Sequence, residues 1–290
     1  MRCNQCPRKC NAERKQGKTG ICSVEADFLV ARAAKHRWEE PIISGQNGSG
    51  AIFFGGCNLH CIFCQNKAIS HGGVGKYQTK EQLTQTILSL QEMGAHNINL
   101  VTPTHYTLQL VDVLKAVKPK LHIPIVWNSS AYESPTTLRH LNGLVDIYLP
   151  DCKYYSSEVS CSYSSAPDYF TVAIEAIAEM LLQVGEPLID STNGLMQSGV
   201  IVRHLVLPSH RKDSIALLHA LKERFGTNAF LLSLMGQYTP DFAADTPYKN
   251  LHRRLTSFEY QSVLDTAVML GFQGFSQDLS SASASYTPSF

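Results

Sequence analysis

Three cysteines lie within eight residues of this chain, at Cys57, Cys61 and Cys64. They follow the apolar run 51–54, which predicts a short buried strand, and a glycine pair that lets the backbone turn sharply as it leaves that strand. A loop folded around one centre can aim three thiolates at one metal cluster, and a 4Fe–4S cluster is usually held by four cysteines. The spacing therefore predicts a 4Fe–4S cluster with one iron left open to a small molecule.

Zinc is the alternative metal for this loop. A structural zinc site takes four ligands in closed tetrahedral geometry, commonly from paired C-x2-C units. His60 or His71 could supply the fourth ligand here. The strand before the loop and the repeated strands described below favour the iron–sulfur interpretation.

A second group of cysteines lies near the N-terminus, at Cys3, Cys6, Cys10 and Cys22. Few apolar residues separate them, so a metal rather than a hydrophobic core would have to order residues 1–37. A second iron–sulfur cluster and a structural zinc both fit, and four reduced, unligated thiols are the third alternative. The segment is basic but lacks the interleaved aromatic residues of an RNA-binding surface. We interpret its charge as a solvated face or as a docking surface for an acidic electron donor.

The composition limits the functions that the chain can have. It has 290 residues, a net charge of +1 and a pI of about 7.6, which argues against nucleic acid or an acidic membrane as a partner. It shows no signal peptide and no apolar run near the ~20 residues that a membrane span needs. Nine cysteines without a secretory signal predict metal chemistry in a reducing compartment, so we expect a cytoplasmic protein.

Strand and helix patterns alternate from residue 51 onward. The glycine- and serine-rich residues 38–50 predict a flexible connector, because no Lys-Ser or Lys-Thr follows to make a phosphate-binding loop. Six predicted strands, each followed by a helix, indicate an α/β fold with a parallel sheet and right-handed crossovers. The predicted strands are 51–54, 97–101, 123–127, 144–149, 200–207 and 229–234. The small, polar tail 279–290 is predicted to be disordered.

Polar residues follow several of these strands. In parallel α/β folds the active site lies at the C-terminal ends of the strands, and the cysteine loop follows the first strand at that end. The candidates after the later strands are residues 102–105, 128–130 and 151–153, with Arg203, His204 and Gln237. For each of them the simpler interpretation is a polar residue that satisfies backbone groups at a strand end.

The cysteine spacing, with Phe63 directly before the last cysteine, resembles the signature of the radical S-adenosylmethionine (SAM) enzymes. In that family the open iron binds the amino and carboxylate groups of SAM, and the reduced cluster cleaves SAM to a 5′-deoxyadenosyl radical. The resemblance implies a partial (β/α)6 barrel over residues 38–278, preceded by residues 1–37 as a small cysteine-rich metal-binding extension. It also implies a reductant protein of the flavodoxin or ferredoxin type.

Residues 38–278 look like the pyruvate formate-lyase-activating-enzyme-like branch of that superfamily, which places a radical on a glycine of a partner protein. Asp151 and Lys153 match the Asp-x-Lys of this branch, whose Asp helps to bind a monovalent cation and whose Lys contacts SAM. The short sequence motifs at 94–99, 149–151 and 237–240 resemble those of a subgroup that carries the N-terminal cysteines. The Gly-Gly-Glu element of many superfamily members is absent, and residues 102–105 stand in its place.

SAM is a zwitterion with a ribose and a sulfonium, so it needs carboxylate-, ammonium- and hydroxyl-binding groups from several strands. The predicted SAM-binding residues are Phe63, Thr104, Asn128, Asp151, Lys153 and His204. Cys152 and Cys161 have no assigned role, and alternation along the strand should turn Cys152 away from Asp151.

The leading functional hypothesis is a radical SAM enzyme that abstracts hydrogen from a protein glycine and thereby activates a glycyl-radical enzyme. The first alternative is the same radical chemistry on another peptide or on a small molecule. The second is a non-catalytic iron–sulfur or zinc protein for electron transfer or partner binding. Such a carrier would need neither an open iron nor a barrel of ~200 residues.

Overall fold

A computed structural model describes residues 2–71 and 73–277, so the predicted disordered tail lies outside the described residues. Within these ranges the strands are β1 (Phe28–His36), β2 (Ser49–Phe54), β3 (Lys76–Gln78), β4 (Ile98–Val101), β5 (Ile125–Ser129), β6 (Ile147–Pro150), β7 (Leu188–Ile189), β8 (Met196–Leu205), β9 (Leu231–Met235) and β10 (Gly274–Ser276). The α-helices are α1 (Pro41–Ser44), α2 (Lys67–Ser70), α3 (Lys80–Glu92), α4 (Thr107–Val117), α5 (Pro135–Leu138), α6 (Ser157–Ser164), α7 (Tyr169–Val184), α8 (Arg211–Phe225) and α9 (Ser257–Leu270). Short 3-10 helices cover Arg14–Gln16, Thr104–Tyr106, Lys118–Lys120, Arg139–Leu141, Pro240–Ala243 and Lys249–Leu251.

The main sheet has the order β10-β9-β8-β6-β5-β4-β2-β1-β3. Every neighbouring pair from β2 to β10 is parallel, whereas β1 and β3 are added in antiparallel pairing beyond β2. The predicted α/β fold with six parallel strands (β2, β4, β5, β6, β8 and β9) is therefore confirmed. β3 and β10 stand at opposite ends of the order, which agrees with a partial barrel. The structure adds β10, a three-residue strand too short for its pattern to be recognised.

Side chains alternate between the two faces of each parallel strand. On the outer face, Leu100, Trp127 and Val202 belong to the main hydrophobic cluster, which includes the buried faces of the helices. On the inner face, Val126 and Ile147 pack with Ile43 of α1. Since Val126 and Ile147 lie near the N-terminal ends of their strands, α1 closes that end of the barrel interior. The interior is left open at the C-terminal ends, where the cysteine loop lies.

The first predicted boundary differs from the structure. β1 falls within the predicted extension 1–37, but it pairs with β2 from Val30 opposite Phe54 to His36 opposite Ser49. Its apolar first half buries Phe28 and Leu29 in the main core, which ties it to the sheet. The part that precedes the sheet is therefore only residues 2–27. No helix among residues 2–71 and 73–277 is long and apolar enough to cross a membrane.

Candidate active site

A cavity of about 210 Å³ lies at the C-terminal ends of the parallel strands. All three loop cysteines, Cys57, Cys61 and Cys64, line it. Of the other predicted residues, the structure places the following on its wall: Phe63, Thr102, Asn128, Ser129, Ser130, Asp151, Lys153, Arg203 and Gln237. These residues come from six segments of the chain, and the C-terminal ends of the parallel strands bring them to one site.

The cysteine loop is held by its own backbone and by a neighbouring strand end. Gly56 has a φ of +80°, a conformation that glycine adopts without strain. The Leu59 N–H donates to the Cys57 sulfur at 3.3 Å, and the Asn58 side chain donates to the Tyr132 carbonyl at 2.7 Å. These contacts fix the turn that aims the thiols into the cavity.

The three thiols fit an iron–sulfur cluster electrostatically. Burial, reinforced by the neighbouring cysteines, raises the pKa of Cys57, and it raises the pKa of Cys64 to about 12. Thiolates form in such a place only beside a positive charge, which metal ions supply. Lys153 also favours both thiolates, because its ammonium opposes this rise in pKa. Three soft thiolate donors on one cavity suit an iron–sulfur cluster or zinc.

The described side chains do not form a closed site for a single ion. Within residues 2–71 and 73–277, no three His, Cys, Asp or Glu side chains are grouped closely enough to hold one metal ion. The rings of His60 and His71, the suggested zinc ligands, lie against each other with centroids 4.8 Å apart and planes tilted by 35°. A 4Fe–4S cluster accommodates wider sulfur spacing, because each sulfur binds a different iron. The loop is therefore compatible with a 4Fe–4S cluster.

Asp151 forms a buried ion-pair network on the cavity wall. Lys153 Nζ donates to its Oδ2 at 2.7 Å, and Arg203 Nε donates to its Oδ1 at 2.7 Å. Burial alone would raise the pKa of Asp151, but the guanidinium of Arg203 and the ammonium of Lys153 hold it below its usual range. The cavity thus contains a charged carboxylate between two cations.

Glu39 extends this network from the segment between β1 and α1. Arg203 Nη1 donates to Glu39 Oε2 at 3.1 Å, and Arg203 Nη2 donates to Asn128 Oδ1 at 2.7 Å. Asn99 Nδ2 donates to Glu39 Oε1 at 3.0 Å. Burial raises the pKa of Glu39 and of the adjacent Glu40, while Arg203 opposes the rise. The predicted flexible connector is in fact part of the site, because it inserts a carboxylate into the barrel.

The sequence patterns do not predict Glu39 as a site residue. Its segment has the composition of a polar connector, and its main partner Arg203 is 164 residues away in the sequence. One signal was available: an arginine on the inner face of a buried strand needs carboxylate partners. Two adjacent glutamates before a helix-opening proline are candidates for that role.

His204 and Thr104 do not line the cavity. His204 follows Arg203 on β8 and therefore points to the opposite face. There its Nδ1 bonds the Cys152 carbonyl at 2.7 Å and its Nε2 bonds the Ser214 hydroxyl at 2.8 Å. It joins β6 and β8 to α8 instead of contacting a cofactor, which corrects its predicted role. Thr104 is buried in the 3-10 helix Thr104–Tyr106 outside the cavity wall.

Cys152 lies where alternation predicts. It is fully buried in the main hydrophobic cluster on the outer face, whereas Asp151 lines the cavity. Burial raises the pKa of its thiol well above the usual range. Cys161 lies exposed on α6. The structure gives neither cysteine a place in the cavity wall.

The N-terminal segment packs directly against the cysteine loop. Arg8 Nε donates to the Asn58 carbonyl at 2.8 Å, and Arg8 Nη2 donates to the Ser164 carbonyl at 2.8 Å. The Cys22 carbonyl lies 2.3 Å from the position that a Cβ would occupy at Gly56, so only glycine fits there. The two cysteine groups are therefore structurally connected.

Known proteins resemble this chain in sequence and in fold. Residues 43–160 match the model of a 4Fe-4S single cluster domain. An uncharacterized protein of Methanocaldococcus jannaschii is 29% identical over 275 residues, which cover 91% of this chain and 74% of that protein.

The similar solved structures include three proteins. A radical SAM methyltransferase from Sphaerobacter thermophilus has a TM-score of 0.50 and 14% identity, over 78% of this chain and 66% of its own. Methylornithine synthase has a TM-score of 0.50 and 16% identity, over 73% and 59%. Streptococcus suis SuiB bound to S-adenosylmethionine has a TM-score of 0.52 and 12% identity, over 77% and 48%.

The chain spans about half to two thirds of the length of these solved structures. Identities this low concern the fold alone. The segment that matches the cluster domain contains the three cysteines that line the cavity. The chain thus shares the fold of these solved structures, and its residues 43–160 match the model of a 4Fe-4S single cluster domain.

Proposed function

We propose that the protein is a radical SAM enzyme in which Cys57, Cys61 and Cys64 hold the cluster and the adjoining cavity holds SAM. The observation that carries this proposal is that three thiols and charged groups of both signs share one cavity wall. When bound, the cluster supplies the electron that cleaves SAM to methionine and a 5′-deoxyadenosyl radical. The chain's own residues bind and orient SAM and exclude water from it.

Lys153 is the proposed partner of the SAM carboxylate. Its ammonium is largely buried, and Asp151, which it bonds at 2.7 Å, fixes its position. Thr102 and the polar residues at 128–130 offer hydroxyl and amide groups to the ribose and the amine. Thr102 lines the cavity at the place where many superfamily members have the Gly-Gly-Glu element. A monovalent cation at Asp151, which the sequence resemblance implies, would have to share that carboxylate with Lys153 and Arg203.

The proposed substrate is a glycine of a partner protein, from which hydrogen is abstracted. The match of Asp151 and Lys153 to the activating-enzyme branch supports this choice. A flavodoxin- or ferredoxin-type protein is the proposed electron donor, and the basic N-terminal segment offers it a docking surface. The second candidate is a small polar substrate, which the inward-facing Glu39, Asn99 and Asn128 favour because they place buried polar groups inside the barrel.

Turnover of SAM tests the proposed function. Protein reconstituted anaerobically and reduced with dithionite should form 5′-deoxyadenosine and methionine from SAM, measured by liquid chromatography and mass spectrometry. Cys61→Ala should lose this activity because it removes a cluster ligand, whereas Cys161→Ala, which changes an exposed cysteine outside the site, should retain it. Protein with a proven reduced cluster that forms no 5′-deoxyadenosine would contradict the proposal.

Electron paramagnetic resonance separates the two substrate classes. With the correct partner, spin should move to a backbone glycine and appear as a stable doublet signal. Turnover of SAM that never yields a protein radical, but consumes a polar small molecule, would favour the second candidate.

A further inference from the structure

The four N-terminal cysteines are grouped in space. Cys6 and Cys22 are buried, with 8% and 6% exposure, while Cys3 and Cys10 are half-buried. The backbone folds back on itself here, since the N–H of Cys3 donates to the Ala12 carbonyl at 2.9 Å and the N–H of Lys9 donates to the Cys6 carbonyl at 3.1 Å. The Cys10 sulfur lies against Gly20, 2.4 Å from the position that a Cβ would take there. The radical SAM site described above uses none of these thiols.

A side-chain amide points at one of these sulfurs. Gln5 Nε2 donates to the Cys3 sulfur at 3.7 Å. In the cluster loop, the second N–H after Cys57 bonds its sulfur at 3.3 Å. Hydrogen bonds of this kind stabilise thiolates and orient metal-bound sulfurs.

Arg14 brings a buried positive charge to the group. It is 4% exposed and donates to the Val24 carbonyl at 3.2 Å and to the Glu25 carbonyl at 2.6 Å. No carboxylate in the described part of the chain forms an ion pair with it. Its Nη1 lies 4.0 Å from the Cys3 sulfur. Carbonyl oxygens and the Tyr106 ring hold this guanidinium, and metal-bound thiolates would place negative charge beside it.

We propose that Cys3, Cys6, Cys10 and Cys22 bind a second metal centre, a 4Fe–4S cluster held by all four thiolates. Four thiolates are the ligand set of zinc or of an iron–sulfur cluster. Only the cluster contains sulfide, so metal and sulfide analysis separates the two. With four protein ligands this cluster leaves no iron open, so its role differs from that of the loop cluster.

The second centre is linked to the first by short contacts. Arg8, two residues after Cys6, donates to the carbonyl of Asn58, the residue after Cys57. The carbonyl of Cys22 packs against Gly56, the residue before Cys57. Ordering of the N-terminal segment by a metal should therefore stabilise the turn that presents the loop cysteines.

Metal analysis of a variant without loop ligands tests the proposal. The full-length Cys57→Ala, Cys61→Ala, Cys64→Ala triple variant is reconstituted anaerobically with iron and sulfide, with zinc also present. It should keep about half of the wild-type iron and sulfide, in equal amounts. Cys161→Ala is the matched control and should keep the full wild-type content. A triple variant that binds zinc, iron without sulfide, or no metal would overturn the assignment.

A second variant tests the N-terminal ligands directly. Cys10→Ala removes a half-buried ligand, so the packing loss is small. It should lose at least half of the iron and be cleaved faster by trypsin at the exposed Lys9, Lys15 and Lys18 than the Cys161→Ala control. Equal iron content and equal protease resistance in the two variants would refute the second centre. If Cys10→Ala fails to fold, the triple variant decides the question alone.

Discussion

Arg203 and His204 are neighbours on β8 and serve different parts of the molecule. Arg203 joins Asp151, Asn128 and Glu39 inside the barrel, whereas His204 bonds outer-face partners. Substitutions at this strand end should therefore separate effects on SAM binding from effects on stability.

Asp151→Asn should weaken SAM binding at least tenfold, equivalent to about 1.4 kcal/mol. The change removes the charge that holds Lys153 in place and leaves Lys153 and Arg203 as two facing cations. Equilibrium dialysis with labelled SAM measures the affinity, and iron content shows that the cluster is retained. Comparison of potassium and sodium buffers tests the cation at Asp151. Unchanged affinity in the variant would mean that Asp151 does not position the SAM-binding ammonium.

His204→Asn should lower the free energy of unfolding by about 1–3 kcal/mol, because buried groups lose hydrogen-bond partners. Its bonds to the Cys152 carbonyl and to Ser214 connect the strands to α8. Urea unfolding measures the loss, and wild-type SAM affinity is expected. A loss of SAM binding without a loss of stability would contradict this prediction and show that His204 contributes to the SAM site.

At the scale of elements, the cysteine loop depends on a glycine that touches the N-terminal segment. Gly56→Ala would place a Cβ 2.3 Å from the Cys22 carbonyl, so the loop or the segment must move. We expect the iron content to fall by at least half. Gly94→Ala is the control, since its φ of +76° nearly equals the +80° of Gly56 but nothing lies within 4 Å of its Cβ position. Equal losses in both variants would assign the effect to backbone strain alone.

The capping box of α9 should make stability depend on pH. Glu259 accepts a bond from Arg253 Nη2 at 2.7 Å, and this ion pair, with the backbone bonds of the cap, lowers its pKa in spite of burial. A lowered pKa stabilises the fold above about pH 4.3, the usual glutamate pKa, and this contribution is lost progressively below it. Glu259→Gln should cost about 1 kcal/mol at pH 7, since Arg253 is partly exposed, and less in acid.

Urea unfolding of both proteins between about pH 7 and pH 3.5 checks this dependence. The neutral capping box of α3 provides the control, because Gln82 occupies the position of Glu259 there. Gln82→Ala should cost the same at every pH. A Glu259→Gln difference that does not shrink in acid would contradict the ionic origin.

The elements with strong local signals could be predicted from the sequence. Thr79 with Gln82 and Thr256 with Glu259 fit the capping-box pattern of a helix start, and α3 and α9 begin directly after these two threonines. β1 lacked such a signal, because its second half mixes alanine with Arg32 and Lys35 and shows no alternation. Its place in the sheet comes from pairing with β2, a tertiary contact that overrides weak local preference.

The site could be predicted only in part, because some of its residues are placed by contacts with distant parts of the chain. Asp151 and Lys153 belong to one short motif, and the structure places both on the cavity wall. Glu39 and Arg14 act through partners far away in sequence, which a local pattern cannot reveal. Arg14 in particular belongs to a segment interpreted as a solvated face or a docking surface, yet it is buried against the Tyr106 ring at 4.9 Å.

At the scale of the whole molecule, the cavity extends from the cysteine loop to Trp38, which lines it and is 62% exposed. The other tryptophan, Trp127, is fully buried and bonds Glu133 at 2.9 Å. Reconstitution should therefore quench the emission of Trp38, because the cluster absorbs light at nearby wavelengths. Trp38→Phe should remove most of this change. Equal quenching in the variant would place the effect on Trp127.

The hydrogen bonds of Arg8 also determine how early in synthesis the N-terminal segment can dock on the rest of the protein. Arg8 bonds the carbonyl of Ser165, which follows it by 157 residues. A ribosome adding about 5–20 residues per second needs roughly 8–30 s to make that stretch. Until α6 has emerged, the N-terminal thiols have no barrel to dock on and are open to oxidants and competing metals. If these thiols bind the second centre proposed above, they should receive their metal after the chain has passed α6.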